Sequence, residues 1–142
     1  MKLVDVYRVE NSEKLVYDLL SERDQIANIS HKKMPTWEEH CAFVASHPYR
    51  EWYVIVSDTT KLVGACYLSR QNEIGVFVFK AHQGKGYGTF AVNALRLRHP
   101  DERLLANIAP GNKTSHVMFQ KMGFKPIQVT YELMPPKVND DH

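Results

Sequence analysis

Only two cysteines occur in the 142 residues, Cys41 and Cys66, and they form no CxxC pair. That argues against a disulfide framework or a structural zinc site and leaves two reduced, packed thiols. Long apolar runs are also missing. The N-terminal MKLVDVYRVE alternates polar and apolar residues, unlike a signal peptide or a membrane anchor, so a cytoplasmic location is the default expectation. Net charge is slight: 18 Lys and Arg against 16 acidic residues leave +2. That is too weak a field to draw nucleic acid or an anionic membrane. Arg96, Arg98 and His99 form only a small basic cluster at the end of a predicted helix. No repeat, low-complexity tract or linker marks a second domain. A chain of this length with 44% hydrophobic residues is expected to fold around one core.

Residue periodicity then sets the element order. Leu3, Val4, Val6 and Val9 suggest a first strand. Asn11 and Ser12 offer oxygen caps for a helix carrying Leu15, Val16, Leu19 and Leu20 and ending near Arg23. Thr36 and Glu39 have capping-box spacing, so a second helix starts at Trp37. Residues 51–56 and 61–68 are β-branched and aromatic on either side of Ser57-Asp58-Thr59-Thr60, a hairpin pattern. Ile74 to Phe79 is apolar except for Gly75, as expected of a central strand covered on both faces. A helix over 87–99, a strand over 104–108 and a helix from Asn112 to Met122 with Gly123 at its exit follow. Ile127, Val129, Tyr131 and Leu133 alternate with polar residues and predict a last, half-buried strand before Pro135. The chain reads as one mixed α/β domain over residues 1–134, with 135–142 as a disordered tail.

Gln83-Gly84-Lys85-Gly86-Tyr87-Gly88-Thr89 lies between the apolar strand and a helix start. Glycines let successive amides face one concave site, the helix N-terminus adds partial positive charge, and absent side chains admit phosphate oxygens. Each glycine costs about 0.5–1 kcal/mol of conformational entropy relative to alanine, so three in five residues point to a geometric requirement. Two other phosphate motifs fit less well. Gly86-x-Gly88-x-x-Ala91 satisfies a relaxed dinucleotide fingerprint, but Leu104 to Ile108 supplies no acidic residue for a ribose. Gly111-Asn112-Lys113-Thr114 lacks the second glycine of a P-loop.

These residues resemble the GNAT superfamily of N-acetyltransferases, whose signature Gln/Arg-x-x-Gly-x-Gly/Ala is matched by Gln83, Gly86 and Gly88. Asn112, Ser115, Phe119 and Gly123-Phe124 have the spacing of the family's second motif. The resemblance extends to an amino-sugar-nucleotide acetylating branch. It implies a mostly antiparallel sheet of six to seven strands flanked by about four helices, with the fourth and fifth strands splayed. It further implies acetyl-CoA as co-substrate, its pyrophosphate on the amides of Gln83 to Thr89 (Gln83, Gly84, Lys85, Gly86, Tyr87, Gly88, Thr89). The thioester is then expected beside Val78 and Phe79, with Asn112, Ser115 and Phe119 on the opposite wall.

A protonated alkylamine must lose a proton before attack, at a cost of roughly 4 kcal/mol over about three pKa units. Glu73 is the leading candidate base, acting directly or through water, with His82 as a second candidate. Phe119 stands where many relatives place a tyrosine acid, so Ser115, His116 or water is left to protonate the thiolate. The acceptor end is sought in Ser30, His31 and Tyr49, in polar and aromatic segments flanking the second helix, and as the amine of a small molecule or amino-sugar nucleotide. A protein or nucleic acid amine, or a CoA-binding module without turnover, remains an alternative. His40 and His47 share a helix face but lack a third ligand, so no metal is expected. A monomer or homodimer is expected.

Overall fold

The computed structural model describes residues 1–23 and 34–136. Among these the order is β1 (Lys2–Asp5), α1 (Ser12–Glu22), α2 (Trp37–Ala45), β2 (Glu51–Val56), β3 (Leu62–Leu68), β4 (Glu73–Val78), α3 (Tyr87–Arg98), β5 (Leu105–Ala106) and α4 (Lys113–Lys121). The strands lie in the order β1-β2-β3-β4-β5, antiparallel from β1 to β4 and parallel between β4 and β5. This is the expected α/β architecture with four helices, although the sheet has five strands among the described residues.

Local chemistry explains most element boundaries. β1 stops at Asp5 and not at Val9, because the Asp5 carboxylate accepts the Tyr7 N–H at 2.8 Å and turns residues 6–8 into a short 3₁₀ segment. α2 begins with the complete capping box: Thr36 Oγ1 accepts from the Glu39 N–H, and Glu39 accepts from the Thr36 N–H, which satisfies two donors that the helix leaves open. At α1, Asn11 occupies the cap position in the left-handed region (φ 59°), and its side chain makes no capping bond. The Ser57–Thr60 turn joins β2 to β3, with Thr60 N–H returned to Ser57 O.

Two cores flank the sheet. On one face α3 buries Ala91, Val92 and Leu95 completely against Ile55, Val63, Cys66 and Leu68, with Phe119 of α4 closing the layer. On the other face α1 and α2 cover Val54, Val56 and Trp52 through Val16 and Val44. Each fully buried aliphatic side chain stabilises by about 1.5–3 kcal/mol. These two layers set the backbone on which the site is built.

Three expectations need correction. β5 is limited to Leu105–Ala106 and does not extend over 104–108, because only Glu73↔Leu105 and Ile74↔Ala106 are in register before the strands part. β4 is not covered on both faces, since Val76, Phe77 and Val78 are only half-buried where a cleft opens beside them. The segment 127–133 forms no strand within this chain: Ile127, Val129, Tyr131 and Leu133 are exposed. It leaves α4 in a direction set by Gly123 (φ 93°) and by Phe124, whose N–H bonds Phe119 O at 3.0 Å.

Candidate active site

β4 continues to Val78 while β5 ends at Ala106, so the two strands form a V closed at Glu73 and open toward the glycine turn. The V encloses a cleft of about 1070 Å³. β4 forms its floor, the 106–112 segment and α4 form one wall, and the glycine turn forms its mouth. Past Ile74, β4 has a strand neighbour on its β3 side only, which leaves backbone on the other edge facing the cleft.

The mouth has the geometry of an anion cradle. Gly84 (φ 78°) and Gly86 (φ 88°) are left-handed, and a Cβ on either would meet nothing within 4 Å. Backbone conformation, and not crowding, therefore calls for glycine there. Gly86 caps α3, whose first turn carries no acidic residue. Among the described residues no backbone acceptor takes the N–H groups of Gly84 through Thr89, and the first tie back is Phe90 N–H to Gly86 O at 3.0 Å. A row of open amides at a helix N-terminus suits a pyrophosphate. Gly88 has a packing reason as well, since a Cβ there would lie 3.3 Å from Met118 Sδ of α4.

Most of the residues singled out from sequence come together in this cleft. Glu73, Val78, Gln83, Gly84, Gly86, Gly88, Thr89, Asn112, Ser115, Phe119 and Tyr49 all line it. Lys85, Tyr87 and Phe79 do not, and the Phe79 N–H is taken by Val63 O at 2.9 Å. Gln83 braces the turn by donating from Nε2 to Val78 O at 3.1 Å. Ser30 and His31 lie outside the described residues. Glu73 stands at the closed end of the V, its carboxylate bonded by the Asn107 side chain and its N–H bonded to Ser69 Oγ at 2.9 Å.

Several expected groups have structural duties. Asn112 caps α4 through Oδ1, which accepts the Ser115 N–H at 3.2 Å. Phe119 is buried edge-on against Phe124, centroids 5.0 Å apart. The His116 ring shares a hydrogen bond with Ala109 O at 3.0 Å through Nε2. His40 is buried with Nε2 bonded to Glu13 O at 2.8 Å, while His47 stacks on Tyr7. Among the described residues no group of three His, Cys, Asp or Glu side chains could hold a metal ion.

At the inner end of the site, sequence reading named Tyr49 but missed Arg23, Tyr67 and Phe77. A cavity of about 150 Å³ adjoins the cleft between α1, α2 and the sheet, and shares Arg23, Tyr49, Tyr67 and Phe77 with it. Tyr49 and Tyr67 stack face to face, centroids 3.8 Å apart and planes 7° from parallel. Arg23 lies 4.5 Å over the Phe77 ring. Burial, then the neighbouring Tyr67 hydroxyl, raises the Tyr49 pKa, and burial raises that of Tyr67, so both are neutral phenols. Gly75 pairs with Tyr67 across the ladder, and a Cβ there would sit 2.1 Å from the Tyr67 ring, a relation that no local sequence signal names.

Solved structures share this antiparallel sheet split at one parallel pair. A domain from Methanocaldococcus jannaschii is 22% identical with a TM-score of 0.76, each chain 92% covered. A spermidine N-acetyltransferase chimera from Vibrio cholerae is 13% identical with a TM-score of 0.70, covering 90% of this chain and 84% of that one. An N-acetyltransferase from Staphylococcus aureus is 19% identical with a TM-score of 0.65, covering 87% and 81%. No curated protein sequence matches the chain. The sequence model of the acetyltransferase (GNAT) family matches residues 14–124, and the chain belongs to that family.

Proposed function

We propose that this chain transfers an acetyl group from acetyl-CoA to the primary amine of a small molecule by direct attack. The observation that carries the reading is the row of open amides from Gly84 to Thr89 at the mouth of the β4–β5 cleft. Acetyl-CoA, when bound, supplies the acyl group as an activated thioester. The cradle amides hold its phosphates, with Lys80 and Lys113 along the same cleft, and the open edge of β4 orients the pantetheine arm. Glu73, at the closed end, takes the proton from the amine. A β4 backbone N–H stabilises charge on the carbonyl oxygen. The departing thiolate, a group with an ordinary pKa near 8.5, leaves without a strong acid and takes its proton from water, with the Ser115 hydroxyl on the facing wall relaying it. Phe119 has no proton to give. A cytoplasmic acetyl-CoA pool suits a chain with two free thiols, and among the described residues no helix is long and apolar enough to cross a membrane.

The inner cavity supports an acceptor with a small apolar or aromatic body. Among the described residues its lining includes no carboxylate, and Arg23 is the one permanently charged group there. That suits neither a polycation of the spermidine type nor the hydroxyls of a sugar nucleotide, and it lowers the cost of presenting a neutral amine. Calorimetry with acetyl-CoA, followed by thiol release over a panel of aromatic and aliphatic amines, polyamines and amino-sugar nucleotides, tests both halves. Absence of binding at millimolar acetyl-CoA rejects the cofactor. Binding without thiol release on any amine favours a CoA-binding module instead, the reading that Phe119 motivates.

A further inference from the structure

The inner cavity and the cleft meet at a shared rim that includes Arg23, Tyr49, Tyr67 and Phe77. An acceptor that reacts in the cleft and places its body in the cavity passes this rim. The cavity is lined largely by apolar side chains, among them Leu19, Leu20, Phe43, Trp52 and Ala65. At about 150 Å³ it accommodates one benzene-sized body. His40 adds little polarity, because its Nε2 is already bonded to Glu13 O.

The rim also holds a cation without an anion. Arg50, Arg70, Arg96 and Arg98 each donate to an oxygen of the fold. The Arg23 guanidinium lies over the Phe77 ring and, among the described residues, donates to no oxygen. The carboxylates that line the cleft among these residues are engaged elsewhere. Glu22 accepts the Lys80 N–H at 2.8 Å, and Glu73 accepts from the Asn107 side chain. Arg23 and Glu73 nonetheless both act on Tyr67: burial raises its pKa, the Arg23 charge opposes that rise and the Glu73 charge adds to it. A cation and a carboxylate therefore bear on one phenol at the junction of cavity and cleft, an arrangement that matches a small molecule carrying a carboxylate and an amine on one carbon.

We infer that the acceptor is an α-amino acid with a compact apolar side chain, its carboxylate paired with the Arg23 guanidinium, its side chain in the inner cavity and its amine in the cleft on the Glu73 side. The inference rests on the acetyl-transfer reading and names its substrate class. A planar guanidinium takes a carboxylate through two parallel bonds. The Tyr49 and Tyr67 phenols stay neutral beside it, so neither competes as an anion. A decarboxylated amine of the same shape leaves Arg23 unpaired, and a polyamine brings further positive charge to it. Transfer forms the amide N–C bond and breaks the thioester C–S bond. The amine gives up one proton, the thiolate takes one, and the products are an N-acetyl amino acid and CoA.

L-Phenylalanine and L-leucine, each set against its decarboxylated counterpart (phenethylamine and 3-methylbutylamine), test the assignment. Thiol release at saturating acetyl-CoA is expected to give a kcat/KM for the acids roughly 10–100-fold above that for the amines, as a hydrogen-bonded charge pair provides. Arg23→Gln is expected to abolish this preference, Arg23→Lys to keep part of it and Arg23→Glu to invert it. Trp52 lines the cavity, so tryptophan fluorescence reads acceptor binding without turnover, and the acids are expected to bind more tightly than the amines. Absence of acetyl-CoA binding by calorimetry rejects the transferase reading and this inference with it. When acetyl-CoA binds, three results overturn the amino acid assignment alone: no fluorescence response to either acid, amines bound or used as well as the acids, or an acid preference that survives Arg23→Gln.

Discussion

Gly75 faces Tyr67 across the β3–β4 ladder, and the ring occupies the space that a side chain at 75 would need. Gly75→Ala places a methyl 2.1 Å from the Tyr67 ring, so the ring must turn and the Tyr49–Tyr67 stack opens. We expect the KM for the amine to rise roughly tenfold and stability to fall by about 1–3 kcal/mol from overpacking. Acetyl-CoA affinity by calorimetry should stay unchanged, and an unaltered amine KM would remove Tyr67 from the acceptor site. Glu73→Gln keeps the Asn107 contact in outline but removes the base. Its kcat is expected to fall roughly 10²–10⁴-fold, and the acidic limb of the pH profile should disappear. A variant with wild-type kcat and pH profile excludes Glu73 as the base. Sequence reading reached Glu73 through the family resemblance, since some relatives carry an acidic base near this position before the apolar strand. It did not reach Tyr67, because nothing local tells which strand residue lies opposite a glycine. Cys66 was read as inert, and burial pushes its thiol up to about 12.

Between elements, Arg50 at the entry to β2 grips Glu102 after α3 through both carboxylate oxygens, at 2.9 and 3.0 Å. The same guanidinium reaches Asn72 Oδ1 at 2.8 Å just before β4. Donation to Glu102 from Arg50, and then from the Asn72 amide and His99, holds its pKa down to about 2 from an ordinary 4.5. Because the folded value is the lower one, the stabilisation is complete above about pH 4.5 and is lost as pH falls toward 2. Thermal midpoints from pH 6 to 2.5 should therefore drop more steeply in the wild type than in Glu102→Gln. Equal slopes would show that the cluster does not couple to folding. At this scale the capping box at Thr36, the hairpin at 57–60 and the Asn112 cap were all legible, since each is encoded within four residues. The shortening of β5 and the displacement of 127–133 were not. The alternation in 127–133 is that of a strand, but no local signal says which edge a strand joins.

For the molecule as a whole, ligand in the β4–β5 cleft couples to global stability. Acetyl-CoA at a hundred times its Kd should stabilise the fold by about 2.7 kcal/mol, a rise in Tm of several degrees for a chain of this size. A scan with and without millimolar acetyl-CoA checks this, and Gly86→Val, which cannot hold φ 88° without strain, should abolish the rise and lower the apo midpoint by several degrees. No rise in the wild type would reject the cofactor reading. By itself the sequence determined the element order as far as α4, the glycine turn and the family, because these follow from short-range periodicity, turn stereochemistry and a motif within one stretch of chain. Tertiary structure alone decided that β4 and β5 part after two residue pairs, that Gly75 makes room for a tyrosine stack beside the inner cavity, and that an apolar strand pattern remains outside its own sheet. Each of these depends on which surfaces meet across long separations in the chain, and packing settles that only once the whole sheet has formed.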